Sequence, residues 1–381
     1  MKRKAAKGRK YINMYNIYEE KFFTDTGRQS AGTRSGPSIA VMADIHGNDT
    51  ALEHCLADAR ERGADGFLFL GDYAGELAHP ERVMSLLYRT AEQYPCLFIR
   101  GNKENYWLNY RKNGEQGWKE RDSVTRCMLY SYRRLTQRDL DFFSQLDPVR
   151  KVEISGLPPI LACHGSPKRV NQKLLPGDPE TLALMEESSC SLILCAHTHV
   201  QRKITHRGVT VLNPGSVGIP SFPGQHPFFA PEEKPEPAAP QHGREPHPVS
   251  EKGLAQYLIL HARPVSAHAA VSAQSAAAWE AAAWEEEMIT LEYDARCVFE
   301  ELHATGLYEN APVWCRITEA LFQGFPLTHG SVLARAMELC VQKTGSCSWP
   351  DIPEAFLEQA LEEACASATL RHGGQIGKCA R

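Results

Sequence analysis

Val41-Met42-Ala43-Asp44-Ile45-His46-Gly47-Asn48 sets a carboxylate and an imidazole two residues apart, after the apolar run Ile39 to Met42 and just before a glycine. Residues i and i+2 of a strand point to one side. The spacing therefore predicts Asp44 and His46 projecting together from the C-terminal end of a buried strand. Open α/β folds carry their chemistry at that end. One oxygen and one nitrogen donor side by side make half of a metal site. Taken alone, the stretch also reads as an ordinary strand followed by a polar turn. The rest of the chain has to supply the missing ligands.

Strands and helices alternate from there. Asn48–Arg62 has a helical apolar face at Leu52, Cys55, Leu56 and Ala59. Gly66–Leu70 reads as a strand ending at Gly71-Asp72. Pro80–Gln93 reads as a helix with Pro80 in its first turn. Cys96–Arg100 reads as a third strand, ending at Gly101-Asn102. Three strand–helix units in a row predict a parallel α/β core with right-handed crossovers. Residues 105–145 read as irregular and helical, with a helix over Thr136–Gln145, and their aromatics as packing. Lys151–Ile154, Ile160–Cys163 and Ser191–Cys195 are expected strands, with a helix at Asp178–Glu187 and a hairpin turn at His206-Arg207-Gly208. Tyr257–Glu292 reads as an antiparallel hairpin with a long insertion at its tip.

The chain is 381 residues with a formal net charge of -4, 23% charged and 43% hydrophobic residues. That is ordinary globular composition and gives no bias toward nucleic acid or membrane. No apolar stretch approaches the ~20 residues of a membrane span. The basic N-terminus lacks the apolar core of a secretory signal. Twelve cysteines include no C-x-x-C pair, so reduced thiols and a cytoplasmic protein are expected. Residues 1–36 are expected to be a basic, disordered tail. Residues 37–294 form the main domain, with flexible insertions at about 220–253 and 262–286. Residues 295–381 form a helical C-terminal region in which no chemistry is apparent.

Collected in order, the strand ends supply Asp44 and His46, Asp72, Asn102, His164, then His197 and His199. Each follows an apolar run, and each is an oxygen or imidazole donor. Two divalent ions ~3.5–4 Å apart need a set of this size to form a hydrolytic centre. Such ligands suit manganese, iron, zinc, cobalt or nickel better than calcium or magnesium. Manganese is taken first.

Asp44-x-His46, Gly71-Asp72, Gly101-Asn102, His164-Gly165 and His197-Thr198-His199 are similar to the ordered motifs of the calcineurin-like metallophosphoesterase superfamily. Asn213-Pro214-Gly215-Ser216-Val217-Gly218 resembles its YfcE-like bacterial and archaeal phosphodiesterase branch. The resemblance covers about Ser38 to Asp294 without the excursions. It implies a four-layer αββα sandwich (α/β, or α+β in some schemes), with the helical C-terminal region added. It also implies two metal ions, with Asp44, His46 and His199 on one and Asn102, His164 and His197 on the other. Asp72 would bridge them, and a bridging hydroxide would attack phosphorus in line.

Two departures stand out: Ala196 replaces the usual glycine, and Lys103 stands where many relatives carry His or Cys. A lysine with a pKa near ~10.4 donates protons poorly at neutral pH but suits a phosphate as a point charge. Lys103 is therefore expected on a substrate phosphate or leaving-group oxygen; exposure to solvent or pairing with Glu104 is the alternative. The catalytic set is thus Asp72, Asn102, Lys103 and His164. The expected activity is phosphodiester hydrolysis. The alternatives are a phosphoprotein or dinucleoside-polyphosphate phosphatase, and a catalytically weak metal-binding scaffold whose helical C-terminus binds a partner. No nucleic-acid contact is expected beyond a weak one by the basic tail.

Overall fold

The computed structural model describes residues 36–154, 157–221, 252–263, 284–350 and 352–371. Ser38–Met42 (β1), Gly66–Phe69 (β2) and Cys96–Phe98 (β3) run parallel, as the strand–helix alternation predicts. Lys252–Ala262 (β9) pairs antiparallel with β1, and Trp284–Asp294 (β10) pairs antiparallel with β9, completing a sheet of order β10-β9-β1-β2-β3. The second sheet holds Val149–Val152 (β4), Ile160–Cys163 (β5), Leu192–Leu194 (β6), Arg202–His206 (β7) and Val209–Asn213 (β8) in the order β4-β5-β6-β8-β7.

Alternation along the strands builds the layers. Ile39, Val41, Leu68 and Leu70 of the first sheet pack with Ile160, Ala162, Leu192, Leu194 and Leu212 of the second. Ala40, Met42, Phe67 and Phe69 face the other way, into a core shared with the helices. Both faces of β1 and β2 are buried, so these strands read as continuous apolar runs rather than alternating ones. On the outer face of the second sheet, Cys163, Ile193, Cys195 and Val211 pack with Leu184 and Met185 of Pro179–Glu187 (α6). The result is the expected four-layer α/β sandwich.

Asp49–Glu61 (α1) and Pro80–Gln93 (α2) are the crossovers. Asn48 caps α1, its Oδ1 accepting from the Ala51 N–H at 3.0 Å; such a cap contributes ~1 kcal/mol. Residues 105–145 resolve into Asn102–Lys112 (α3), Ser123–Arg134 (α4) and Gln137–Gln145 (α5). α3 begins on a candidate ligand, three residues earlier than the periodicity suggests.

The C-terminal helices are Arg296–Ala304 (α7), Leu307–Asn310 (α8), Pro312–Phe322 (α9), His329–Thr344 (α10) and Glu354–Arg371 (α11). Trp314, Ile317, Ala336, Leu357 and Leu361 belong to the same core as Leu87, Trp107 and Met128. Glu354 accepts from the Ser123 N–H at 2.6 Å and pairs with Arg126 at 3.1 Å, tying α11 to α4. No described helix is long and apolar enough to cross a membrane.

Two expectations change here. β4 lies two residues earlier than Lys151–Ile154, because its antiparallel register sets Val149 against Cys163 and Val152 against Ile160. Among the described cysteines, Cys365 is disulfide-bonded, against the expectation that all are reduced. Residues 1–35, and the insertion stretches 222–251 and 264–283, lie outside the described residues.

Candidate metal centre

β1 ends at Met42, so Asp44 and His46 do not sit on extended strand. Both adopt left-handed backbone, with φ of 53° and 54°. Their N–H groups are held by the neighbouring strand end, Asp44 N to Gly71 O at 3.1 Å and His46 N to Asp72 O at 3.0 Å. Asp72 (φ 55°), His197 (67°) and His199 (58°) share this conformation. Non-glycine residues pay roughly 1–2 kcal/mol each for it. The two-residue spacing does bring Asp44 and His46 together, but through turn geometry rather than strand pleat.

The donors converge. His46 Nε2 lies 3.0 Å from His199 Nε2. Asp44 Oδ1 is 3.8 Å from His46 Nε2, 3.6 Å from His199 Nε2 and 3.9 Å from His164 Nε2. Asp72 Oδ2 lies 3.9 Å from His46 Nε2 and 3.5 Å from His164 Nε2, so it borders both sides. Asn102 Oδ1 sits 3.0 Å from His164 Nε2. Asp44–His46–His199 and Asp44–Asp72–His164 each form a group able to hold an ion. The His197 ring lies 5.2 Å from the His164 ring and outside both groups; its backbone N–H donates to Asp44 Oδ2 at 3.0 Å.

A direct test of fit to a cation is Asp44 Oδ1. It is buried and has no hydrogen-bond partner, while three imidazole nitrogens face it. Bonds of ~2.1 Å to one ion set neighbouring donors about 3.0–3.4 Å apart, so these separations are of the right order. Two of the histidines have fixed tautomers. Nδ1 of His164 lies 2.8 Å from Leu70 O, and Nδ1 of His199 lies 2.8 Å from Ile219 O. These two Nδ1 atoms carry the proton, and their Nε2 lone pairs turn inward. Nδ1 of His46 lies 2.6 Å from Glu76 Oε2, an ion-pair distance without hydrogen-bond geometry.

Burial sets the protonation. It pushes the Asp44 carboxyl up to about 7, and it brings the His197 imidazole down to about 3 and His199 well below its usual range. Burial alone would lower His46, but the Glu76 carboxylate outweighs it and raises the ring.

Several contacts at the site were not visible in the sequence. Glu76 is buried against His46 and also pairs with Lys103 Nζ. Lys103 therefore pairs with Glu76, not Glu104, and its backbone N–H donates to Asp72 Oδ1 at 2.8 Å. Glu104 accepts from the N–H groups of Asp72, Tyr73 and Gly101. Ser216 Oγ donates to Asp44 O at 2.6 Å. Apart from the local Gly101–Glu104 contact, these partners stand 27 or more residues apart.

His329 of α10 is a further one. Its Nε2 lies 3.1 Å from Thr318 Oγ1 and 3.2 Å from Trp314 O. Burial lowers this imidazole to about 4, although Glu76 favours its protonation. With the folded value below the unfolded ~6.5, the unfolded chain binds the extra proton first. Its contribution is therefore complete above pH ~6.5 and is lost as pH falls toward ~4, by at most about 3 kcal/mol. Denaturant titrations from pH 7 to 4 should show His329→Gln losing less stability over that window than the parent. Parallel losses would rule this out.

The family model for the calcineurin-like phosphoesterase superfamily domain matches residues 38–231. An uncharacterized protein of Methanocaldococcus jannaschii is 26% identical over 199 residues, covering 48% of this chain and 76% of its own. The crystal structure of a hypothetical protein from Pyrococcus horikoshii OT3 aligns over 73% of this chain and 97% of its own, with a TM-score of 0.50 and 18% identity. Yfce, described as a phosphoesterase from E. coli, aligns over 48% of this chain and 81% of its own, with a TM-score of 0.31 and 21% identity. At these identities the likeness to solved structures speaks to fold alone.

Proposed function

The chain belongs to the calcineurin-like phosphoesterase superfamily, and from that premise we propose that it is a metal-dependent phosphodiesterase. The observation that carries metal dependence is the pair of donor groups meeting at the unpartnered Asp44 Oδ1. The preference for diesters rests on the resemblance of Asn213-Pro214-Gly215-Ser216-Val217-Gly218 to the YfcE-like branch.

Asp44, His46 and His199 would hold one divalent ion. Asn102, His164 and His197 would hold the other, with Asp72 shared. Manganese is the first candidate. Two such ions supply Lewis acidity toward phosphoryl oxygens and a water nucleophile at neutral pH. The chain's own residues do the rest. The Nδ1 contacts of His46, His164 and His199 orient each ring with Nε2 aimed inward. Neutral His197 and His199 leave the donor set uncharged on that side. Lys103 offsets Glu76, so Asp44 and Asp72 alone face the cations and the site keeps a net positive field for an anionic ester.

Purified protein loaded with manganese should hydrolyse a bis-aryl phosphate faster than the mono-aryl phosphate, and EDTA should abolish both rates. Hydrolysis of the monoester alone would replace the proposal with a phosphatase. Tight metal binding with activity on neither would favour the scaffold reading.

A further inference from the structure

We infer that Glu76 is the positioning residue of His46, and that Lys103 is its buried counter-ion rather than a group presented to substrate. Glu76 stands in the loop between β2 and α2, outside every motif. Its side chain is 5% exposed and that of Lys103 13%. One carboxylate oxygen lies 2.6 Å from His46 Nδ1, and the other receives Lys103 Nζ. Of His46, His164 and His199, only His46 sets its Nδ1 against a carboxylate; His164 and His199 use backbone carbonyls. A carboxylate 2.6 Å from Nδ1 favours the proton there and makes Nε2 a more basic donor.

The backbone is shaped for this contact. Gly75 has φ of 159°, and a Cβ there would come within 2.5 Å of His46 Nδ1. A side chain at that position would displace the ring Glu76 holds. Lys103 is fixed at both ends: its N–H donates to Asp72 Oδ1, and its Nζ meets Glu76 and lies 3.9 Å from Met128 Sδ. To reach a phosphate it would have to abandon a buried carboxylate. That would leave Glu76 desolvated and unpaired, which is costly. The sequence departure at Lys103 and the carboxylate at Glu76 are thus two halves of one device.

This inference rests on the reading of Asp44, His46 and His199 as ligands of one ion. The test is manganese binding by calorimetry, with metal content by elemental analysis, on the full chain and on Glu76→Gln, Lys103→Met and the double variant. The double variant leaves no unpaired buried charge, and circular dichroism checks that each variant folds. Glu76→Gln and the double variant should weaken one of two manganese sites by about 10–100-fold, the range for loss of a group behind a metal ligand. The other site should change little. A rise in KM for the bis-aryl phosphate in Lys103→Met, which bares the Glu76 charge, should be relieved in the double variant at full metal occupancy.

Unchanged manganese affinity in folded Glu76→Gln and in the double variant would overturn the role of Glu76. A KM raised tenfold or more in both Lys103→Met and the double variant at full metal occupancy would return Lys103 to the substrate. A parent protein that binds no manganese, zinc or cobalt overturns the metal reading and this inference together, whereas two tight sites insensitive to Glu76 overturn this inference alone.

Discussion

Asp72→Asn should lower manganese-dependent phosphodiester hydrolysis by ~10³-fold, equivalent to about 4 kcal/mol of transition-state stabilisation. Asp72 Oδ1 is already committed to the Lys103 N–H at 2.8 Å. Oδ2 is the atom that borders both donor groups, 3.9 Å from His46 Nε2 and 3.5 Å from His164 Nε2. Asparagine can keep the first contact through its carbonyl oxygen. It then turns an NH₂ group, two donors and no lone pair for a cation, toward the place where the shared ligand is needed. Asparagine also tolerates the left-handed backbone of residue 72 (φ 55°). The fold should therefore survive, and the defect should appear in kcat and in the metal stoichiometry. Steady-state rates at saturating manganese, alongside elemental analysis and a melting curve, measure this. A variant that keeps two ions and more than a tenth of the parent rate would remove Asp72 from the shared position.

Much of this was legible because it depends on short-range pattern. Ile39 to Met42, Gly66 to Leu70 and Cys96 to Ile99 are apolar throughout, since β1, β2 and β3 bury both faces. A run of that kind, followed by a helical face such as Leu52, Cys55, Leu56 and Ala59, specifies a strand–helix unit without tertiary information. Seven polar donors at strand ends were visible for the same reason. What local pattern could not carry is the conformation at those ends and the groups behind them. Nothing near Asp44 announces a φ of 53°; it follows from hydrogen bonds to Gly71 and Asp72 on the neighbouring strand. Glu76 reads as one loop carboxylate among many until the fold brings His46 and Lys103 to it. His329 belongs to a helix with an ordinary apolar face, and only the packing of α10 brings it near Glu76. The strand-end motifs therefore indicate which residues could meet a metal. Most supports of those residues come from contacts 20 or more positions apart and require the structure.

Glu104→Ala should be the most destabilising substitution at the site, costing at least ~3 kcal/mol. Glu104 is completely buried. Its Oε2 accepts from Asp72 N at 3.0 Å and Gly101 N at 2.7 Å, and its Oε1 accepts from Tyr73 N at 3.0 Å. One carboxylate thus satisfies three backbone donors on the two loops that present Asp72 and Asn102. Alanine strands all three donors where water has little access, at roughly 1–3 kcal/mol for each unsatisfied group. Those costs do not add fully, because the loops relax, but relaxation itself moves Asp72. Domain stabilities are ~5–15 kcal/mol, so the loss is a large share of the total. Glu104→Gln retains one acceptor oxygen and sets an NH₂ against a backbone N–H, so it should fall between alanine and the parent. Urea denaturation in the presence of EDTA gives the comparison without the stabilisation that bound metal adds. A loss below 1 kcal/mol for alanine would mean that the Asp72 and Gly101 loops hold themselves. In the expected case, the carboxylate at residue 104 secures the loop that carries Asp72 through backbone amides, as the carboxylate at residue 76 secures His46 through its ring.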